Sequence, residues 1–421
     1  MSLFLINPFI NRLQTYSFGS PLGTTSQYEA QSVSVAFSAF NTGPITIYFK
    51  IVTVTGTVGD ADFSSPANPV TQGWTQTLAY SAAQGSWNTS FNINLVNDGL
   101  TETESFRIEA RINSQSGELV ATSGTVTILD IPSGESSYTT AGTYSFTVPA
   151  GVTAISAVAV GSGHAGIKTS SGGGAGGQGG SLRWTSSIAV TPGEVLTVFV
   201  GAARTSPEVN SFDYYFTDAA KGQSSYISRG ATILLRGAGG ARTDNVGEGG
   251  GNGGVLPGMP PNTYPNQVTG MSGGGGGAGG YSGNGGRGAV EAGGADNIST
   301  NGSGGGGGGG GSSTVGGGGG GVGILGAGAS GTAGQSLQFE QNGASGYRGT
   351  AATGGSGGTS GERVYAYISP NPADARGRGG QYGAGAGGMY GGISLSGTPV
   401  SGGGAVRIIW GPGRSYPNNA A

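Results

Sequence analysis

The chain has 421 residues, of which 94 are glycine and only 9% are charged, with a formal net charge of −3. This balance excludes the basic surface of a nucleic-acid-binding protein, so no nucleic-acid partner is expected. With no cysteine and one histidine, thiolate metal sites are excluded and most catalytic triads are disfavoured, so the sequence favours a protein that is not an enzyme.

Residues 1–26 form a short segment whose first ten residues are mostly apolar. Two interpretations stay open for this apolar start. It is either a docking segment that inserts into a partner or the first strand of the next domain. We assign 1–26 as an N-terminal attachment segment.

Residues 27–132 show a repeated alternation of apolar and polar residues with a period of two, punctuated by turn-forming residues. Six or seven such strands in about 105 residues predict a β-sandwich. The clearest strand patterns are Ser32–Phe37, Ile45–Val54, Ser90–Val96, Ser105–Ile112 and Gly124–Leu129.

The same region resembles a Calx-beta domain in four pieces: Gln27–Ala30, Thr55–Phe63, Ile93–Phe106 and Thr125–Asp130. The resemblance implies that acidic residues at one end of the sandwich can hold Ca²⁺, a cation that prefers oxygen ligands. The implied ligands are Glu29, Asp62, Asp98, Glu102 and Asp130. Calcium-binding members continue with further aspartates where this chain has Ile131-Pro132. A spacer without a metal is therefore the favoured interpretation, with a single calcium site as the alternative.

Residues 133–138 are small and polar, which predicts a linker, and residues 139–412 are assigned to a second β domain. Two strand pairs are expected near its start and a last strand at Gly404–Gly411. Because these elements are more than 150 residues apart, the glycine-rich stretch 236–403 is expected to be an insertion anchored at both ends. His164 is predicted to be a solvated or hydrogen-bonded loop residue, and 413–421 a C-terminal tail.

The uninterrupted glycine runs, such as Gly304–Gly311, allow three structures. Collagen needs glycine at every third position, which these runs do not keep. Disorder is the second reading, because glycine-rich linkers are usually flexible coils. The runs are interrupted by residues that favour burial, for example Val322-Gly-Ile-Leu. We therefore expect packed polyglycine II helices, which bond to one another laterally because no Cβ keeps them apart.

The second domain resembles the glycine-rich domains of structural proteins of tailed bacteriophages. The resemblance rests on Phe146–Ile155, Gly172–Gly180, Val190–Gly201 and Gly402–Gly411, and the closing Gly411–Pro417 resembles tail-fibre and virion proteins of cyanobacterial phages. It implies an all-β virion protein, with a tail-fibre or adhesin component as the first interpretation. A capsid decoration protein is the alternative, and a bacterial surface or secreted matrix protein is a third class.

Aromatic residues between the glycine runs are candidates for host contact, because tyrosine with serine, glycine and asparagine is typical of adaptable binding loops. The competing interpretation is that they cover the ends of the glycine layers or pack against a neighbouring subunit. The candidates are Tyr214, Tyr215, Tyr264, Phe339, Tyr347, Tyr365 and Tyr367. The expected partners are other virion proteins through the N-terminal region and a host-surface glycan or outer-membrane protein. A homo-oligomer, with a trimer as the first hypothesis, is expected at the tail or capsid surface of the virion.

Overall fold

The computed structural model describes residues 15–19, 25–40, 45–78, 86–97, 102–169, 174–205, 208–209, 217–255, 273–289, 298–309, 316–341, 344–349, 351–362, 377–390, 399–418 and 420. The protein is all-β, as predicted from the sequence. Its contacts divide it into two compact units, Met1–Pro132 and Ser133–Ala421. Across the described residues, no helix has the length and apolar character needed to cross a membrane.

The described residues of the first unit form ten strands and one short 3-10 helix, Asp60–Asp62. The strands are β1 (Thr15–Phe18), β2 (Thr25–Tyr28), β3 (Ser32–Phe40), β4 (Ile45–Thr55), β5 (Phe63–Ser65), β6 (Trp74–Leu78), β7 (Ser86–Leu95), β8 (Glu104–Ile112), β9 (Leu119–Thr122) and β10 (Val126–Leu129).

These strands form two sheets, with strand order β1-β3-β7-β5 in one and β2-β10-β8-β4-β6 in the other, where β9 also pairs with β8. Alternation places one face of each strand inward. In β3 the buried residues are Val33, Val35, Phe37 and Ala39. Phe37 meets Phe49 of the other sheet edge-to-face, with ring centroids 5.1 Å apart.

The sandwich begins before residue 27, where the sequence placed its start. Strand β1 pairs with β3, and Tyr16 and Phe18 pack against the buried core. Strand β2 starts at Thr25 and pairs in parallel with β10. The described part of the predicted attachment segment is therefore mostly sheet, because its aromatic residues are partly buried against the core. Residues 1–14 and 20–24 lie outside the described residues.

The second unit has thirteen described strands. They are β11 (Gly134–Tyr138), β12 (Gly142–Thr147), β13 (Ala154–Val160), β14 (Lys168–Thr169), β15 (Leu182–Ala189), β16 (Val195–Val200), β17 (Glu208–Val209), β18 (Ser225–Arg229), β19 (Thr232–Gly237), β20 (Ser336–Gln341), β21 (Ala344–Gly349), β22 (Met389–Tyr390) and β23 (Ala405–Trp410).

Two four-stranded sheets of this unit pack face to face. We call β11-β23-β13-β15 the inner sheet and β12-β16-β18-β19 the outer sheet. The last strand, β23, pairs with both β11 and β13, so residues far apart in the sequence close the sandwich as predicted. The core between the sheets is aliphatic and includes Ala157, Val198 and Ile408.

The predicted linker 133–138 is wrong, because residues 134–138 form strand β11 along β23. The segment Gly-Glu-Ser-Ser-Tyr lacks the apolar alternation that marks a strand. Its place at the edge of the inner sheet depends on backbone hydrogen bonds to β23, together with Tyr138, which packs against the sandwich core.

The central strands β13 and β23 of the inner sheet are buried on both faces, which explains the continuous apolar run of β13. One face meets the outer sheet. Its other face, which includes Val158, Leu182 and Ile409, packs against Ala278 and Val322 of the glycine-rich region. The sandwich and the glycine-rich region thus share one apolar interface.

The C-terminal residues 413–421, predicted as a tail, contain buried residues. Tyr416 is 1% exposed and stacks on Tyr281, with ring centroids 6.0 Å apart. The Tyr416 hydroxyl donates to the Ile324 carbonyl at 2.6 Å, and its backbone N–H donates to Ser156 Oγ at 2.9 Å. Burial raises the pKa of Tyr416 to about 12. The aromatic ring therefore fixes this segment to the fold.

Candidate functional site at one end of a glycine lattice

The run 273–280 shows how the glycine-rich segments pack. Its successive N–H groups donate to three different neighbouring runs, and each neighbour receives every third bond. Gly273, Gly276 and Gly279 donate to the carbonyl groups of Gly174, Gly177 and Gly180. Gly274, Gly277 and Gly280 donate to those of Ala289, Gly286 and Gly283. Gly275 and Ala278 donate to those of Gly317 and Gly320.

The carbonyl groups of the same run accept bonds from three further runs. Gly385 and Gly388 donate to the carbonyl groups of Gly276 and Gly273. Gly251 and Gly254 donate to those of Gly280 and Gly277, and Gly306 and Gly309 donate to those of Ala278 and Gly275. The run 273–280 therefore has six neighbours, both parallel and antiparallel. This is lateral packing of extended three-fold helices, the polyglycine II arrangement predicted from the composition.

Glycine is required in this packing because the backbones lie in contact. A Cβ built on Gly276 would lie 2.0 Å from the carbonyl oxygen of Gly254, and one on Gly277 would lie 2.0 Å from that of Gly306. Larger residues occur where the side chain leaves the layer. Ala278, in the middle of the run, is fully buried against the inner sheet.

We call the packed glycine-rich runs of residues 161–167, 174–181, 249–255, 273–289, 298–309, 316–334, 351–362, 377–390 and 399–404 the lattice. The end of the lattice next to the inner sheet is its proximal end. Short described turns join runs there, at 280–283, 303–305, 324–329, 356–358 and 381–383. The inner-sheet strands β13, β15 and β23 continue directly into lattice runs at this end.

The opposite, distal end collects the longer connections. The hydrogen-bond register fixes the direction of each run, and eight pairs of runs point towards this end. Those pairs flank residues 170–173, 206–216, 256–272, 290–297, 310–315, 335–350, 363–376 and 391–398. The connections of more than six residues, such as 256–272 and 363–376, all lie between runs that point towards the distal end, so the two ends differ.

All seven predicted contact residues belong to connections that start and finish at the distal end. Tyr214, Tyr215, Tyr264, Tyr365 and Tyr367 lie outside the described residues. Phe339 and Tyr347 lie on the hairpin of β20 and β21, where Phe339 pairs with Gly346 and Tyr347 with Gln338. Successive strand positions alternate between faces, so these two positions lie on opposite faces of the hairpin.

A small parallel sheet at the distal end was not predicted. Strand β14 lies between β17 and β22 and pairs in parallel with both. Each strand has two residues, which is too short for a periodic pattern in the sequence. The sheet brings three chain segments side by side, and one of them, β17, precedes the predicted contact residues Tyr214 and Tyr215 in the sequence.

His164 is fully buried in the lattice, not solvated as one alternative held. Its backbone N–H donates to the Gln178 carbonyl at 2.8 Å, and its Nδ1 contacts the Ala165 carbonyl. The neighbouring glycines suggested an exposed loop, but here they allow close packing of the run 161–167 against 174–181.

The predicted calcium ligands of the first unit lie in different surroundings. Glu29 and Asp62 are buried, Glu102 and Asp130 are partly exposed, and Asp98 lies outside the described residues. Asp62 accepts a bond from the Gly59 N–H at 2.6 Å, and Glu102 accepts one from the Thr57 hydroxyl at 2.9 Å. Within the described ranges, no group of three or more acidic or histidine residues could hold a metal ion.

Comparison with known proteins identifies part of the second unit. A family model described as a glycine-rich domain matches residues 139–232. The match covers strands β12, β16 and β18 of the outer sheet, strands β13 and β15 of the inner sheet and the first two lattice runs. No curated protein matches the chain.

Proposed function

We propose that this chain is a non-enzymatic structural protein of a tailed-phage virion, and that the distal end of its lattice contacts the host cell. One observation carries the proposal: the direction of the paired runs brings all eight connections, which have four to seventeen residues, to the same end. Connecting segments on a rigid scaffold are the usual place for recognition, because their sequence can vary without disturbing the core.

The chemistry of these connections supports surface recognition. Predicted contacts such as Tyr264 and Tyr365 stand among serine, asparagine, proline and glycine. Tyrosine supplies a large contact area at low conformational cost, and the small polar residues supply hydrogen bonds. The partner class is a host-surface glycan or an outer-membrane protein.

The first unit, with its Calx-beta resemblance, is assigned the attachment role towards other virion proteins. Several copies in a symmetric oligomer, with a trimer as the first hypothesis, strengthen contacts that are individually weak. The protein then belongs at the virion surface, on the tail.

The test is whether the full-length protein blocks adsorption of the phage to its host. Replacement of both Tyr264 and Tyr365 by alanine is expected to weaken this block, while Leu325→Ala in an exposed turn at the proximal end leaves it unchanged. Immunogold labelling locates the protein on the virion. Label over the head shell, with no inhibition of adsorption, overturns the adhesin role in favour of capsid decoration.

A further inference from the structure

A cleft of about 480 Å³ opens along one side of the second unit. Its wall is a row of four adjacent lattice or sandwich segments: 201–203, 400–404, 378–381 and 359–362. Thr139 and Ala141 border it on the side of the sandwich. The four segments run along the lattice axis.

The peptide backbone of residues 400–404 forms one part of the cleft lining, and the ion pair of Arg378 and Glu362, with Nε 3.7 Å from Oε2, borders another part. A Cβ on Gly403 would have its nearest neighbours at 3.9 Å and 4.0 Å, whereas the Cβ positions of the run 273–280 are obstructed at about half that distance. Gly403 therefore borders open space, unlike the glycines inside the lattice.

In the run 399–404, as in 273–280, successive N–H groups point in three directions, and every third N–H points to the same neighbouring run. Ser401 and Gly404 donate to Arg204 and Gly201 on one side, and Gly402 donates to Ala384 on another. The N–H of Gly403 belongs to the third direction, where the described residues offer it no acceptor. A run missing from the lattice would lie in this direction.

We propose that the cleft is a vacant lattice position that binds an extended glycine-rich segment of a partner protein. Inside the lattice, the run 273–280 is held by neighbours of both directions through backbone hydrogen bonds. The cleft likewise borders runs of both directions, since 400–404 and 359–362 are antiparallel, and it exposes the N–H of Gly403. The five residues 400–404 match a segment of about 15 Å at the rise of a polyglycine helix.

This chemistry favours peptide over other occupants. Main-chain hydrogen bonds give affinity when an extended peptide adds to an exposed backbone edge. Side chains on the occupant are selected against, because a segment bonded to the N–H of Gly403 approaches this run as closely as lattice runs approach one another. The inference concerns assembly and is independent of the adhesin role of the distal end.

The test is calorimetric titration of the full-length protein with N-acetylated, C-amidated pentaglycine and with pentaalanine blocked in the same way. Saturable binding of pentaglycine, with pentaalanine at least about tenfold weaker, is expected. Ala203→Trp and Ser360→Trp, at exposed lining positions, should each abolish binding. Ala231→Trp, in an exposed turn away from the cleft, is the matched control and should retain it.

Each other outcome overturns the proposal. No heat with pentaglycine, equal affinity for the two peptides, or undiminished binding by folded Ala203→Trp and Ser360→Trp rules out a vacant lattice position. Self-association in sedimentation that Ala203→Trp removes assigns the cleft to a second copy. Binding of a neutral oligosaccharide such as maltoheptaose, in place of pentaglycine, makes it a glycan site.

Discussion

Arg407 in the last strand and Glu135 in the first strand of the second unit form an ion pair, with Nη2 2.5 Å from Oε2. Arg414 joins the same carboxylate at 2.9 Å. Arg407 also donates to the Tyr416 hydroxyl at 3.2 Å, and its side chain is 3% exposed, against 47% for Glu135. The ion pair therefore joins the first and last strands of the second unit, β11 and β23. Through Tyr416, which donates to the Ile324 carbonyl, it is also linked to the proximal turn 324–329.

The stability of the second unit should depend on the charge of Glu135. Hydrogen bonds from Arg407 and then Arg414 lower the pKa of this carboxyl. A lowered pKa stabilises the fold at pH values above the unfolded-state pKa, and that stabilisation is lost as the pH falls through the folded-state pKa. Glu135→Gln should therefore lower the free energy of unfolding at neutral pH by about 1 kcal/mol, a modest value because Glu135 is half-exposed.

Thermal unfolding at several pH values measures this effect. Below about pH 4 the wild type and Glu135→Gln should converge, since the wild-type carboxyl is then increasingly protonated. Glu118→Gln, which changes an exposed carboxylate of the first unit, is the control and should follow the wild type at every pH. A constant difference between Glu135→Gln and the wild type across the pH range would contradict the electrostatic explanation.

Replacement by alanine should affect stability very differently at two glycines of the lattice, Gly276 and Gly403. Gly276→Ala places a Cβ 2.0 Å from a carbonyl oxygen, so a neighbouring backbone must move, at a cost of about 3 kcal/mol or more. Gly403→Ala meets no atom closer than 3.9 Å and should be nearly neutral. Chemical denaturation of the two variants checks this contrast, and equal destabilisation would mean that the run 273–280 is not tightly packed.

The sequence predicted the parts of this fold that leave a periodic or compositional trace. Alternating strands such as β3 and the closing strand β23 were recognised because their buried faces are apolar. The glycine runs indicated lateral packing because only glycine permits it. Strand β11 was missed because backbone bonds, not side chains, hold most of it in place.

The candidate site was predicted only in part for a related reason. Tyrosine-rich segments can be read from the sequence, but their arrangement at a single end depends on the direction of each run. That direction is set by which glycine bonds to which, as in the pairing of Gly276 with Gly177. Identical residues carry no such information, so neither the distal end nor the cleft beside Gly403 could be predicted.

The apolar interface between the inner sheet and the lattice should control the stability of the lattice. Ile409 is fully buried there, and Ile409→Ala should cost about 2–5 kcal/mol, a range that includes the cavity left behind. Val195→Ala, at a position 58% exposed on the outer sheet, should change stability by less than about 0.5 kcal/mol. Hydrogen exchange should show faster exchange of lattice amides in Ile409→Ala only. Unchanged protection of the run 273–280 would mean that the lattice is stable without the sandwich.

Asp62 should stabilise the first unit through a backbone hydrogen bond and not through a metal. Its carboxylate accepts the Gly59 N–H at the start of the turn Asp60–Asp62 and is 7% exposed. Loss of such a capping bond costs about 0.5–2 kcal/mol, so Asp62→Ala should lower the unfolding temperature of this unit whether or not Ca²⁺ is present. Millimolar CaCl₂ should leave the wild-type unfolding temperature unchanged. A rise with Ca²⁺ that Asp62→Asn removes would instead establish the calcium site that the Calx-beta resemblance implies.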